Sequence, residues 1–247
     1  MSRWQELGDG VFRRRWESLD LNVGLIVAES AALVVDSRAN HAQADELIDE
    51  IRLITQAPVT HLVNTHHHWD HTFGNSRFPA AEIVGHVRCR RELIENGEAA
   101  RQSLLDADWL PDEAKPLFAE VQITPPEITF DERLEIELGE RVVTLTHLGR
   151  GHTDNDIIVE VDDILFAGDL VEEGAPPQFG DAHPREWPGT LDRLIARISG
   201  VVVPGHGDVV DREFIEDQRD QIARAIDGEP VFPEQIMTQI RERLALG

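Results

Sequence analysis

The chain has 247 residues and a mass of 27.8 kDa, which is the size of one large domain or two small ones. It carries 23 basic and 47 acidic residues, so that its formal net charge is −24, and Lys115 is the only lysine. A field of this sign repels the phosphates of nucleic acids and anionic membrane surfaces, so the composition disfavours both as partners. With 41% apolar and 28% charged residues, the chain is expected to be globular.

The compartment is predicted from segments that the sequence lacks. The apolar runs are only a few residues long, so we expect no membrane-spanning helix. The first twenty residues contain no apolar segment of the kind that a secretory signal requires. Cys89 is the only cysteine, which excludes an intramolecular disulfide framework and any all-cysteine metal site. These features predict a protein of the reducing cytoplasm.

Hydrophobic periodicity predicts a first series of elements that begins with strands. A helix follows over residues 41–55, with Asn40 as its N-cap and an apolar stripe that includes Leu47 and Ile51. The predicted strands of this part are 10–15, 21–28, 32–36, 59–64 and 82–85, and a second helix covers 87–96. Residues 97–127 are rich in proline and are predicted to form an insertion over a site.

The second part repeats the same order of strands, then helix, strand and helix. Its predicted strands are 134–138, 141–147, 156–161, 164–167 and 201–203. A helix follows Pro188, and two more helices end the chain. Such an order predicts two similar halves whose sheets pack together with helices outside, within a single domain over residues 1–247.

The strongest chemical signal is a run of histidines that directly follows the predicted strand 59–64. Residues two apart in extended backbone point the same way, so His66, His68 and Asp70 are predicted to share a face. His71 then points elsewhere and could reach a second centre. Imidazole and carboxylate groups suit zinc and related divalent ions where thiolates are absent.

Three further donors follow predicted strands in the second part. His152, Asp169 and His206 each come directly after a glycine, which lets the backbone turn sharply and approach another group closely. Taken singly, each of these three would be interpreted as an ordinary buried residue, and the alternative to a metal site for the histidine run is a solvated turn or an incidental metal-binding tract. Donors at four strand ends together favour a metal site over both interpretations.

The motifs H-x-H-x-D-H, GHT, AGD and PGHG, in this order, resemble those of the metallo-β-lactamase superfamily of dinuclear metallohydrolases. The resemblance spans nearly the whole chain and implies an α+β fold, a four-layer αββα sandwich of two similar halves. It also implies two Zn²⁺ ions per chain, with iron or manganese as alternative metals. The first metal would be held by His66, His68 and His152, the second by Asp70, His71 and His206, and Asp169 would bridge them.

The resemblance implies a binuclear zinc-dependent hydrolase acting on a small molecule. A metal-bridging hydroxide would cleave a carbonyl-type bond (an ester, thioester, amide or lactam), and Asp70 would be catalytic by orienting this nucleophile. One alternative is a mononuclear iron dioxygenase of the same fold. Others are a true β-lactamase with atypical carboxylate recognition, and a non-catalytic metal-binding module.

The substrate-contacting residues stay open. The β-lactamases with the most similar stretches carry a cysteine where Asp169 stands and a carboxylate-binding lysine where Glu172 stands. A glutamate cannot pair with a substrate carboxylate, which disfavours ordinary penicillins. Arg150 and Arg185 lie near the donor-bearing loops, but surface ion pairing explains them as well as substrate contact does. Five aromatic residues could line a pocket or belong to the core: Trp69, Phe73, Trp109, Phe179 and Trp187.

Overall fold

A computed structural model describes residues 3–246, which form twelve strands and seven α-helices. The strands are β1 (Gln5–Gly8), β2 (Val11–Arg15), β3 (Asn22–Val27), β4 (Ala32–Val35), β5 (Val59–Val63), β6 (Glu82–His86), β7 (Ile128–Phe130), β8 (Arg133–Leu138), β9 (Arg141–Thr146), β10 (Ile158–Val161), β11 (Ile164–Glu172) and β12 (Val201–His206). The helices are α1 (His41–Ile54), α2 (Trp69–Thr72), α3 (Val87–Asp106), α4 (Lys115–Ala119), α5 (Trp187–Ile195), α6 (Arg212–Ile226) and α7 (Glu234–Leu246). None of these helices is long and apolar enough to cross a membrane.

The strands form two sheets, and the chain divides into two compact units. One sheet has seven strands in the order β1-β2-β3-β4-β5-β6-β7, and the other has five in the order β12-β11-β10-β9-β8. The first unit comprises residues 3–14, 23–131 and 135–143, and the second comprises 15–22, 132–134 and 144–246. The prediction of one domain with an insertion at 97–127 stays a prediction.

Parallel pairing in the first unit brings two strand ends to one edge of the sheet. Strands β4 to β7 are parallel, and Val35 of β4 lies opposite Val63 of β5. Both strands are buried at these ends, because both faces of a parallel sheet are usually covered. The residues that follow β4 and β5 therefore meet at the same edge.

Helix α1 begins and packs as its sequence predicts. The Asn40 side chain accepts a hydrogen bond from the Gln43 amide at 3.1 Å, which satisfies one of the amides at the helix start. Ala44, Leu47 and Ile51 are buried along one stripe of the helix. Helix α3 is longer than predicted, because it continues through 97–106 of the expected insertion instead of ending at Asn96.

The second unit is built around β11, which is buried along all nine residues. It pairs in parallel with β12, and Glu172 of β11 lies opposite His206. The register shifts on both sides of Gly168, as in a β-bulge. The predicted strand 164–167 was too short, since the chain stays extended beyond this irregularity. Phe179 and Trp187 pack in the core of this unit with ring centroids 5.1 Å apart.

Candidate metal centre

Four of the predicted donors lie together in the first unit. The chain leaves β5, passes His66 and His68, and enters the short helix α2, which holds Asp70 and His71. The His66 ring centroid lies 4.7 Å from that of His68 and 4.3 Å from that of His71. Donor atoms lie within 4.8 Å of each other in the pair His66 and His68, and likewise in the pair Asp70 and His71.

One prediction about this cluster was wrong. Extended backbone was expected to carry His66, His68 and Asp70 on one face, but the backbone turns helical at Trp69. Thr72 stabilises the turn, since its hydroxyl donates to the His68 carbonyl at 2.9 Å. Asp70 is thereby grouped with His71 rather than with the two histidines before it.

Asp36, at the end of β4, fixes the orientation of two of these imidazoles. It accepts the Thr65 amide and hydroxyl protons, each at 2.8 Å. His71 Nδ1 lies 2.8 Å from the same carboxylate, which can only accept, so Nδ1 carries the proton. The Thr65 hydroxyl has already given its proton to Asp36, so it accepts from His66 Nδ1 at 3.1 Å. Both rings therefore have their lone pair on Nε2, ready for a metal ion.

A network of buried polar side chains stabilises the backbone that carries the histidine cluster. Asn64 and Asn75 exchange side-chain hydrogen bonds at 3.0 and 2.8 Å, and Ser37 donates to the Asn75 side chain at 2.7 Å. Ser37 also donates its amide proton to the His71 carbonyl at 2.8 Å. A side chain at Gly74 would overlap the Ser37 carbonyl, so only glycine fits there. The network holds the backbone on both sides of the histidines.

The second unit brings its three predicted donors to one point. Asp169 Oδ2 lies 3.3 Å from His206 Nε2 and 3.5 Å from His152 Nε2. Asp169 lies within β11, His206 is the last residue of β12, and His152 lies on the loop between β9 and β10. His206 Nδ1 lies 2.7 Å from the Leu19 carbonyl, which can only accept a proton. The His206 lone pair is therefore on Nε2, the atom that faces Asp169.

Glu172 lies behind His152 rather than on an open surface. The side chain is buried, and its Oε1 is 3.6 Å from His152 Nδ1. The same oxygen accepts the Gln178 amide proton at 2.9 Å. A carboxylate beside the second ring nitrogen of a metal-binding histidine orients the ring and raises its basicity.

The glycines before the donors have the role that the sequence predicted. A side chain at Gly205 would overlap Asp169 Oδ1, and Gly168 has a φ of +53°, which favours glycine. The loop that carries His152 is closed by Asp156, whose carboxylate accepts the Thr153 amide proton at 2.9 Å. The backbone around these glycines and the Asp156 contact thus fix the positions of the donors.

The aromatic residues divide between core and surface. Phe73, Phe179 and Trp187 are buried and belong to the core. Trp109 is 61% exposed, and its ring centroid lies 6.1 Å from that of Trp69. Within the first unit, these two indoles form an accessible apolar surface beside the helix that holds Asp70.

Sequence analysis missed the residues that orient the donors. Asp36 contacts the ring nitrogen of His71, Thr65 that of His66, and the Leu19 carbonyl that of His206. Glu172 was considered only because it stands where similar β-lactamases have a lysine. Asp36 ends the predicted strand 32–36, but its position beside β5 is visible only in the order of the folded sheet, so no sequence signal marked it. Of the histidines without a predicted ligand role, His147 binds the Asp156 carbonyl at 2.7 Å, which is the local structural role expected.

Comparison with known proteins identifies the family. A sequence model of the metallo-beta-lactamase superfamily matches residues 19–206, about three quarters of the chain. This protein belongs to the metallo-beta-lactamase superfamily. The family and its relatives confirm the predicted class of enzyme, a metal-dependent hydrolase.

Individual relatives are distant but match along most of the chain. A metallo-beta-lactamase type 2 of Bacteroides fragilis is 27% identical over 81% of this chain and 74% of its own length. A linear primary-alkylsulfatase of Pseudomonas sp. (strain ATCC 19151) is also 27% identical, over 81% of this chain but only 44% of its own length.

Solved structures confirm the predicted fold class. The metallo-beta-lactamase FIM-1 of Pseudomonas aeruginosa, solved in a mono-zinc form, superposes with a TM-score of 0.68. The match covers 90% of this chain and 95% of that structure at 20% identity. The chain therefore has the α+β fold of the metallo-β-lactamases, as its motifs implied.

Proposed function

We propose that the donors of the two units together form one binuclear zinc centre, and that the protein hydrolyses a carbonyl-type bond of a small molecule. One ion would be held by His66, His68 and His152, and the other by Asp70, His71 and His206. Asp169 would contact both ions. This assignment follows the family motifs position by position, and every position holds the expected type of residue.

The observation that carries the proposal is the convergence on Asp169. Two imidazole Nε2 atoms, from His152 and His206, lie within 3.5 Å of one carboxylate oxygen. The lone pair of His206 Nε2 faces this carboxylate, so both groups would be acceptors if nothing lay between them. Cations between them remove this conflict, and a carboxylate that faces two nitrogen ligands fits a bridging position.

The donor set itself suits zinc. His66, His71 and His206 all have Nδ1 as the protonated nitrogen, so each offers Nε2 without a change of tautomer. Nitrogen and carboxylate donors are common zinc ligands, and seven of them exceed the three that a mononuclear catalytic site typically uses. The mono-zinc form recorded for a protein of the same fold supports zinc as the metal.

Zinc at such a centre polarises a substrate oxygen and lowers the pKa of a coordinated water. The protein's own groups supply orientation and proton handling. Asp70 lies in α2 with its carboxylate 3.7 Å from His71 Nε2, and it would orient the attacking water by accepting a hydrogen bond. Asp36 and the Leu19 carbonyl would hold His71 and His206 in the tautomers that offer Nε2 to the metals.

Hydrolysis of a β-lactam is a second candidate, because similar proteins bear the name metallo-beta-lactamase. Glu172 argues against substrates that carry a carboxylate close to the scissile bond. Its buried side chain is directed to His152 and has the same charge as such a substrate. We therefore expect neutral esters and thioesters to be better substrates than penicillins.

A panel of chromogenic substrates tests this function. We expect zinc-loaded protein to hydrolyse at least one neutral ester or thioester, with about tenfold or greater preference over a cephalosporin or an alkyl sulfate. Chelation should abolish the activity and added zinc should restore it. If the zinc-loaded protein hydrolyses no substrate of any class, the proposal is contradicted. Thiol-dependent oxygen uptake by iron-loaded protein would support the dioxygenase instead.

A further inference from the structure

The second unit contains a cavity that plays no part in the proposed zinc centre. It has a volume of about 350 Å³ and lies where the segment 182–186 and the last turn of α7 meet. Three arginines line it, Arg150, Arg185 and Arg243, together with His183. Glu186 is the only acidic residue in its lining.

Backbone contacts hold two of these guanidinium groups without cancelling their charge. Arg243 donates to the carbonyls of Ala182 and Asp181 at 2.7 and 2.9 Å. Arg185 donates to the Leu244 carbonyl at 3.4 Å. Carbonyl groups satisfy donors but carry no net charge, so both cations keep most of their field within the cavity.

The contrast with other arginines in the unit is clear. Arg219 is paired with two carboxylates, those of Asp192 and Asp220, at 2.8 and 2.7 Å. In the cavity, only Arg150 lies near the lining carboxylate, at 3.5 Å from Glu186. Three arginines therefore line the cavity with one lining carboxylate, Glu186, and the Asp154 carboxylate acts on His183 from outside the lining, in a chain whose net charge is −24.

His183 responds to this environment. Burial, followed by the charge of the Arg150 guanidinium, lowers the pKa of its imidazole. The lowered pKa favours the uncharged ring, which can still donate a hydrogen bond without adding to the repulsion among the arginines. A positive, partly enclosed concavity with preset donors is the environment that favours a bound oxyanion.

We propose that this cavity binds a small organic molecule through its carboxylate or phosphate group. Guanidinium groups match the two oxygens of either group in a bidentate manner. The volume is at the lower end of the range for small-molecule sites, so it accommodates an organic body as well as the anionic group. The inference stands on the cavity alone and does not depend on the proposed zinc chemistry.

Titration calorimetry with succinate and, separately, inorganic phosphate tests the proposal in zinc-loaded protein at constant ionic strength. We expect Arg150→Gln to weaken binding about tenfold or more, since it removes a charged hydrogen bond. Arg185→Gln is a second cavity variant, and we expect it to weaken binding as well. Arg219→Gln is the matched control, because that arginine is in the same unit but pairs with surface carboxylates, and it should bind as wild type does.

The ring signals of His183 in NMR spectra report where the anion binds. We expect succinate or phosphate to shift them in wild-type protein and to shift them far less in Arg150→Gln. The probe that binds more tightly, succinate or phosphate, identifies whether the cavity prefers a carboxylate or a phosphate group. Binding that is equal in wild type and both cavity variants, or that leaves the His183 signals unmoved, places the anion elsewhere, for example on the metals, and overturns the proposal, as does absence of binding.

Discussion

Replacing His66 or His152 by alanine is expected to lower kcat/KM by more than about 100-fold, with little loss of fold. Removing a group that merely orients a ligand costs 10- to 100-fold in metal affinity or activity, and removing the ligand itself costs more. The two histidines lie in different compact units. Equal sensitivity to both substitutions would therefore link the two donor clusters to one function.

His61→Ala is the matched control for this pair. His61 lies on β5, five residues before His66, and its imidazole is 3.4 Å from the Glu82 carboxylate rather than in the donor cluster. The kinetics are measured together with circular dichroism and thermal unfolding. Retention of wild-type turnover by either folded donor variant would contradict the assignment of that histidine.

Asp36→Asn is expected to lower the affinity for metal about 10- to 100-fold and the free energy of unfolding by about 1–3 kcal/mol. The carboxylate now accepts from the Thr65 amide, the Thr65 hydroxyl and His71 Nδ1. Asparagine would turn one acceptor oxygen into an NH₂ group that faces donors. The buried side chain is only 2% exposed, so water cannot compensate for this mismatch.

Asp45→Asn is the control for this substitution. Asp45 pairs with Arg77 at 2.7 Å on the surface, where loss of an ion pair costs at most about 1 kcal/mol. Metal affinity is measured by competition with a chromogenic chelator, and stability by denaturant unfolding. An Asp36→Asn variant that matches Asp45→Asn in both quantities would show that Asp36 does not position His71.

The candidate metal donors could be found from sequence because each lies within or shortly after a hydrophobic strand and beside a distinctive motif. Hydrophobic runs locate the strands, and glycines mark the positions where a side chain would collide with a donor, as at Gly205. The groups that orient the donors give no such local signal. Asp36 is 35 residues from His71, and only the pairing of β4 with β5 brings them together.

Local patterns also misjudge where elements end. Strand β11 continues past Gly168 because a register shift absorbs the irregularity while parallel pairing with β12 persists. Helix α2 begins at Trp69, inside a stretch that histidine spacing alone made look extended. Pairing with β12, which is distant in sequence, keeps β11 extended, whereas the turn into α2 is stabilised by the Thr72 hydroxyl four residues after His68.

Similarity to an alkylsulfatase as well as to metallo-beta-lactamases shows why the reaction does not follow from the donor motifs alone. The donor motifs predict a metal centre, whereas we expect the substrate to be selected by groups outside those motifs, such as Glu172 and the exposed Trp109. Those groups act through charge and shape, which become visible only after the chain has folded.

Counting zinc tests the central claim most directly. Purified protein is saturated with zinc, freed of excess metal by gel filtration, and measured by elemental analysis against a protein concentration from amino-acid analysis. If the two donor clusters form one binuclear centre, we expect close to two zinc ions per chain in the wild-type protein and fewer in Asp169→Ala. A fully loaded wild-type protein that retains one zinc ion or none would contradict a binuclear centre.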